Sequence, residues 1–203
     1  MTRATAGFTL LEVLITMIIL AIGMLGLANL QSKIHVTEVE SYQRAHAVLL
    51  LQDMVDRLNS NRANAVEYDG GGGELGTLSA EDCDDATLDA IADLGKRRAA
   101  RDRCEWSTAL TGASELRDGN ASGGMIGARG CIEVLQAPDA TAGVCTPGIY
   151  RVTVAWQGLH KTVEPELGCG ADQYGDAADA ERDKLRRVIA TQITIGLPRC
   201  SSP

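Results

Sequence analysis

Aromatic side chains make up only 3% of the 203 residues, and no proline precedes Pro138. The first dense glycine run is at residues 70–73, so nothing before it interrupts a helix. The six cysteines, at 83, 104, 131, 145, 169 and 200, contain no CxxC pair, which argues against a zinc site. The three histidines, His35, His46 and His160, fall in no HExxH or similar ligand spacing. There is no G-x-S-x-G elbow and no phosphate-cradling loop, so a hydrolase or nucleotide enzyme has nothing to rest on. The expectation is a non-enzyme without catalytic residues, metal or cofactor. Positive charge is also scarce: the net charge of −8 gives no general attraction to nucleic acid or to anionic lipid.

What is present is uneven. Apolar residues reach 45%, enough for a folded core, yet a dense block of them stands at the N-terminus and leaves the remainder polar and glycine-rich. Residues 8–30 read FTLLEVLITMIILAIGMLGLANL, which as a helix is long enough to cross a ~30 Å hydrocarbon core. Arg3 and the initiator amine precede this run and predict a cytoplasmic start with the rest of the chain translocated. Glu12 is the only charge between Phe8 and Gln31. An ionised carboxylate within the membrane costs on the order of 2.5–3.5 kcal/mol, so Glu12 calls for a partner, and Arg3 and Lys33 are the nearest cations. A plain single-pass anchor with Glu12 near the interface is the alternative.

The small residue Gly7 stands before the apolar run, whereas an ordinary secretory signal is cut after it. Gly7-Phe8-Thr9-Leu10-Leu11-Glu12-Val13 resembles the class III signal of type IV prepilins and pseudopilins. The resemblance implies that prepilin peptidase cuts between Gly7 and Phe8 and that the new N-terminus is methylated. It also implies that Glu12 pairs with the amine of Phe8, in the same or a neighbouring subunit, when helices bundle in a filament. Many pilins carry a proline where Asn29 stands, so the kink such a proline allows is not implied here.

The chain then divides into a leader (residues 1–7), a transmembrane and filament-core helix (8–30), an amphipathic continuation of that helix (31–64) and a periplasmic globular head (65–203). Val39, Tyr42, Ala45, Val48, Leu51, Val55 and Leu58 recur at intervals of three or four and predict an apolar stripe that buries against the head. After the glycine joint, Ser79 is a candidate cap for a helical stretch that runs with interruptions to Leu110. On it Lys96, Arg97, Arg98, Arg101 and Arg103 form a basic cluster, either a solvated face or a contact for an acidic neighbour. Further on the period changes to two. Tyr150, Val152, Val154 and Trp156 alternate, Ile189, Thr191, Ile193 and Ile195 do the same, and residues 131–135 offer a shorter run. These predict a small antiparallel sheet with one face on the helix.

The fold class expected is therefore α+β: a long N-terminal transmembrane and spine helix packed on a small antiparallel sheet, as in type IV pilins. A long connection, residues 157–187, is expected on the surface. Its Asp172, Asp176 and Asp179 lack the EF-hand order and read as a plain acidic loop. An even cysteine count beyond a membrane anchor predicts three disulfides in an oxidised head, with buried free thiols as the alternative. Neighbour pairing, Cys83 with Cys104, Cys131 with Cys145 and Cys169 with Cys200, closes the most local loops and is preferred.

The order of the head resembles the PilV type of minor pilin. The resemblance rests on a helical 102–106 segment, a glycine-rich stretch up to Gly130-Cys131-Ile132, a strand ending in Trp156-Gln157-Gly158, and Arg186-Arg187-Val188 leading into the last strand. It implies a minor pilin that takes part in assembly, priming or modification of a type IV pilus. The implied partners are prepilin peptidase, other minor pilins and the major pilin, the inner-membrane assembly platform and the inner membrane itself. The implied location is the inner membrane before assembly and the pilus surface afterwards. A pseudopilin of a type II secretion system and an adhesive pilus-tip module are the alternatives.

Overall fold

The computed structural model describes residues 7–77, 79, 82–112, 116–117, 120–121, 125–197 and 200. It forms two compact units, Met1–Ser41 and Tyr42–Pro203. Helix α1, Leu10–Ser60, begins in the first unit and ends in the second. A 3-10 segment, Arg62–Tyr68, and the short strand β1, Leu75–Gly76, follow it. Next come α2 (Asp85–Asp89), α3 (Leu94–Leu110) and the small strands β2 (Leu116–Arg117) and β3 (Asn120–Ala121). The chain continues with β4 (Arg129–Gln136), β5 (Gly148–Gln157), a second 3-10 turn (Arg182–Leu185) and β6 (Arg186–Ile195). The main sheet runs β1-β4-β5-β6 with every neighbour antiparallel, so the α+β arrangement of a long helix on a small antiparallel sheet is the fold.

The stripe that α1 buries differs from the one read off the sequence. Gln43, Ala47, Leu50, Leu51, Met54 and Leu58 face the core, whereas Val39 and Tyr42 are about half exposed and Ala45 is exposed. Steps of three from Val39 to Leu51 each lag about 60° behind a full turn on a helix of 3.6 residues per turn, so that series winds off the face. The true stripe spans an arc of roughly 100°, and its first member, Gln43, is polar and carried no hydrophobic signal.

Two aspartates, not Ser79, start the helices of the head. The Asp84 carboxylate accepts from the Ala86 N–H, and Asp93 accepts from the N–H groups of Gly95 and Lys96 at 2.8 and 3.0 Å. Each satisfies donors that a first helical turn leaves free, and the expected stretch from residue 79 therefore divides into α2 and α3. From α3 the fully buried Trp106 donates its indole N–H to the Leu50 carbonyl of α1 at 2.8 Å. The ring also lies on the backbone of β4: a Cβ on Gly130 would stand 2.2 Å from Trp106 Cζ3, so glycine is required there. One indole thus locks helix, helix and sheet together.

The sheet is covered on both faces over part of β5. Tyr150, Val152, Val154 and Trp156 enter the helix-side core, but Thr153 and Ala155 on the opposite face are also buried. The connection from β5 to β6 folds back over them, with Cys169 and Tyr174 packed on Ala155. The expected surface loop is thus a second, smaller layer.

Three disulfides occur: Cys83–Cys104, Cys131–Cys169 and Cys145–Cys200. The first follows the neighbour rule and the other two correct it. Cys131 sits opposite Thr153 in the β4–β5 register, so antiparallel pairing carries Cys145 to the far end of the hairpin, about 17 Å along β4. Cys169 instead lies across the sheet face from Cys131, with Cα atoms 5.9 Å apart.

Candidate functional site

The residues singled out at the N-terminus lie at the start of α1. Residues 1–6 of the expected leader lie outside the described residues, and Gly7, Phe8 and Thr9 precede the first helical turn. The Thr9 carbonyl accepts from the N–H groups of Glu12 and Val13 at 3.1 and 3.3 Å, and the Thr9 hydroxyl accepts from the Glu12 N–H at 3.3 Å. Thr9 is therefore an N-cap, and Thr9-x-x-Glu12 is a capping-box spacing that puts a carboxylate in the first turn. The T-x-x-E spacing just before an apolar run is the sequence signal of this helix start.

Electrostatics reinforce the placement. The N-terminal end of a helix carries a partial positive charge, and a carboxylate there is favourable by about 0.3–1 kcal/mol when exposed. An amine created at Phe8 would add a second positive charge at the same end, just before the N-cap Thr9. The surrounding apolar surface has no cover: Phe8 and Leu10 are each 83% exposed, and Leu11, Leu14, Ile18 and Ile22 are exposed as well. By length and composition, α1 is apolar enough to cross a membrane, and none of its most apolar stretch is buried.

In the head, the charged groups read from the sequence have partners within the chain. Lys96 pairs with Glu67 at 2.8 Å, Arg101 pairs with Asp89 at 3.0 Å, and Arg98 donates to the Ser60 hydroxyl at 2.9 Å. Arg97 donates to the Ile91 carbonyl, and buried Arg103 lies over Gly70, where any side chain would collide with its guanidinium. Lys96, Arg98 and Arg101 are exposed, so most of the cluster is a solvated helix face with ion pairs inside the chain, whereas Arg103 is buried. Asp172 pairs with Arg182 at 3.5 Å, Asp179 pairs with Lys161 at 2.6 Å, and Asp176 accepts from the Ala178 N–H at 2.9 Å. Among the described residues no cluster of three His, Cys, Asp or Glu is placed to hold a metal ion.

One polar centre escaped the sequence reading. Arg186, buried at the start of β6, donates to the carbonyls of Pro165, Leu167 and Cys169 and forms an ion pair with Asp183 at 2.6 Å. Asp183 in turn accepts from the Asp172 N–H at 3.0 Å. Burial pushes the Asp183 carboxyl up, but the Arg186 guanidinium and the Asp172 N–H outweigh it and hold the group below its ordinary value. This pair, with Cys131–Cys169, fixes the second layer on the sheet.

A capped apolar helix with a first-turn carboxylate, followed by a disulfide-bonded α+β head, is a pilin-like arrangement. The family described as the prokaryotic N-terminal methylation motif matches residues 2–28. That match supports a type IV pilin or pseudopilin that is a substrate of prepilin peptidase, anchored in a membrane before assembly. No curated protein and no solved structure matches the chain.

Proposed function

We propose that the chain is a minor pilin of the PilV type, cut between Gly7 and Phe8, methylated at Phe8 and incorporated into a type IV pilus through Glu12. The observation that carries this reading is the position of Glu12 in the first turn of an uncovered apolar helix, directly after Gly7-Phe8. Such a helix is stable only in lipid or against other helices. In either place an unpaired amine costs several kcal/mol, which a carboxylate on a neighbouring helix offsets. The chain works as an assembly or priming subunit without catalysis: before assembly it stands in the inner membrane with residues 65–203 in the periplasm. Its partners are the peptidase, the other pilins and the inner-membrane platform. A type II secretion pseudopilin shares the same leader chemistry; the Trp156-Gln157-Gly158 strand end is what favours the pilus.

The test replaces Glu12 in two ways. Glu12→Leu removes both charge and hydrogen-bonding capacity, whereas Glu12→Gln keeps a side chain that a capping box accepts. Both variants should be cleaved and retained in the membrane, and both should be poorly recovered in sheared pilus fractions. Normal recovery of Glu12→Gln would show that capping suffices and that the charge takes no part in docking.

A further inference from the structure

In the head, a cleft of about 490 Å³ opens where the 3-10 segment after α1 meets the ends of β5 and β6. Its buried lining is Ala65, Tyr150 and Ile195, and Arg62, Val66 and Ala140 line it from the exposed side. The far wall is braced: Asp139 and Thr146 exchange backbone N–H to C=O bonds at 2.9 and 3.0 Å, and Cys145–Cys200 ties the end of the chain across. Two polar groups of this lining are uncommitted. Tyr150 is 1% exposed, yet its hydroxyl makes no hydrogen bond among the described residues, where a buried phenol ordinarily finds a partner. A Cβ on Gly148 would stand 2.7 Å from that oxygen, so the glycine leaves the space in which the phenol lies. Burial holds the phenol above its ordinary value, and at neutral pH it is a donor. Arg62 is exposed and uses only its Nε–H, which donates to the Asn59 carbonyl at 3.1 Å. Its two terminal nitrogens make no ion pair among the described residues. Asp139 stands between two lining residues, but its carboxylate accepts from the Thr141 N–H at 2.9 Å and does not line the cleft.

We propose that this cleft binds a small apolar carboxylate, which pairs with Arg62 and accepts a hydrogen bond from the Tyr150 hydroxyl. The volume is that of a small-molecule site, and an apolar lining with a few placed polar groups is the usual make-up of one. Arg62 is the one charged residue that lines it, and a guanidinium fork matches the planar carboxylate. A doubly charged phosphate ester would leave part of its charge unpaired against Ala65, Val66 and Ile195, which disfavours it. The Tyr150 hydroxyl selects for a ligand with an acceptor, because an all-hydrocarbon body would leave that donor buried and unpaired. The site belongs to the head alone and is independent of whether the chain serves a pilus or a secretion system.

Photolabelling of the full chain in detergent micelles with benzoylbenzoate tests this, since the probe is an apolar carboxylate whose ketone accepts a hydrogen bond and reacts on illumination. Peptide mass spectrometry should place label in residues 138–140 and 195–197 and find it saturable, whereas label on the apolar stretch of α1 should rise in proportion to the probe. The uncharged amide of the same probe should label the cleft at least about tenfold less, and Arg62→Gln should cut labelling by the acid to the same degree. Tyr150→Phe removes a hydroxyl that bonds nothing in the free protein, so it should keep the parent Tm and weaken labelling about fivefold. Ala140→Trp sets an indole into the exposed side of the cleft and should abolish the label there. Label confined to α1, equal labelling by acid and amide, parental labelling of Arg62→Gln or Tyr150→Phe, or labelling that survives Ala140→Trp would overturn the proposal.

Discussion

At the scale of single residues, Arg186 replaces the water that the loop carbonyls of Pro165, Leu167 and Cys169 would otherwise demand, and Asp183 is what makes its burial tolerable. Removing one partner of a buried pair leaves the other charged and unpaired, so Asp183→Asn should destabilise the head by about 3–5 kcal/mol, read from urea unfolding. Because the folded Asp183 carboxyl lies below its ordinary value of 3.8, its contribution is present above that pH and is lost as pH falls through the lower, folded value. The parent head should therefore lose stability below about pH 4, and Asp183→Asn should flatten that limb of the profile. At the other end, Gly7→Val should block cleavage, and the retained leader would appear on a denaturing gel and in the intact mass. A short pattern joins Gly7 and Glu12 in the sequence; Arg186 has no such signal, since its partners are carbonyls that any residue type provides.

Among the elements, the connection from β5 to β6 is held by Arg186, by Cys131–Cys169 and by the Glu74 carboxylate, which accepts from the Gly170 N–H at 2.8 Å, while Cys169 and Tyr174 pack on Ala155 of the sheet. Cross-linking across 38 residues restrains the unfolded chain by about 3–4 kcal/mol on the chain-entropy account. Replacing both cysteines by serine should lower stability on that scale and speed amide exchange in residues 158–185, while α1 and α3 stay protected. Trp106→Ala should cost about 3–5 kcal/mol and loosen α1 from β4 together, because the same ring touches both. Periodicity revealed the long helix and the strands, since strand positions 150–156 and 189–195 alternate in sequence. It misplaced the helix stripe because three-residue spacings fit more than one face. It also gave no sign that Thr153 and Ala155 were covered, because the covering layer is held by a disulfide and an ion pair, neither of which has a period.

For the molecule as a whole, two solvents explain the division of the sequence. The first stretch of α1 exposes Phe8, Leu10, Ile19 and Leu25 without cover, whereas residues from Tyr42 onward hold a core of their own, three disulfides and a net of ion pairs. Aliphatic surface of that extent is unfavourable in water by about 25 cal/mol per Å², and lipid or a bundle of like helices removes the penalty. On the reading proposed above, a peptidase cut at the polar border of this stretch converts an anchored precursor into a filament subunit. Intact-mass and N-terminal peptide mass spectrometry of the chain recovered from sheared pili tests it most directly. The chain should start at N-methylated Phe8; one that still starts at Met1, or is cut after Ala21 or Ala28, would rule that conversion out.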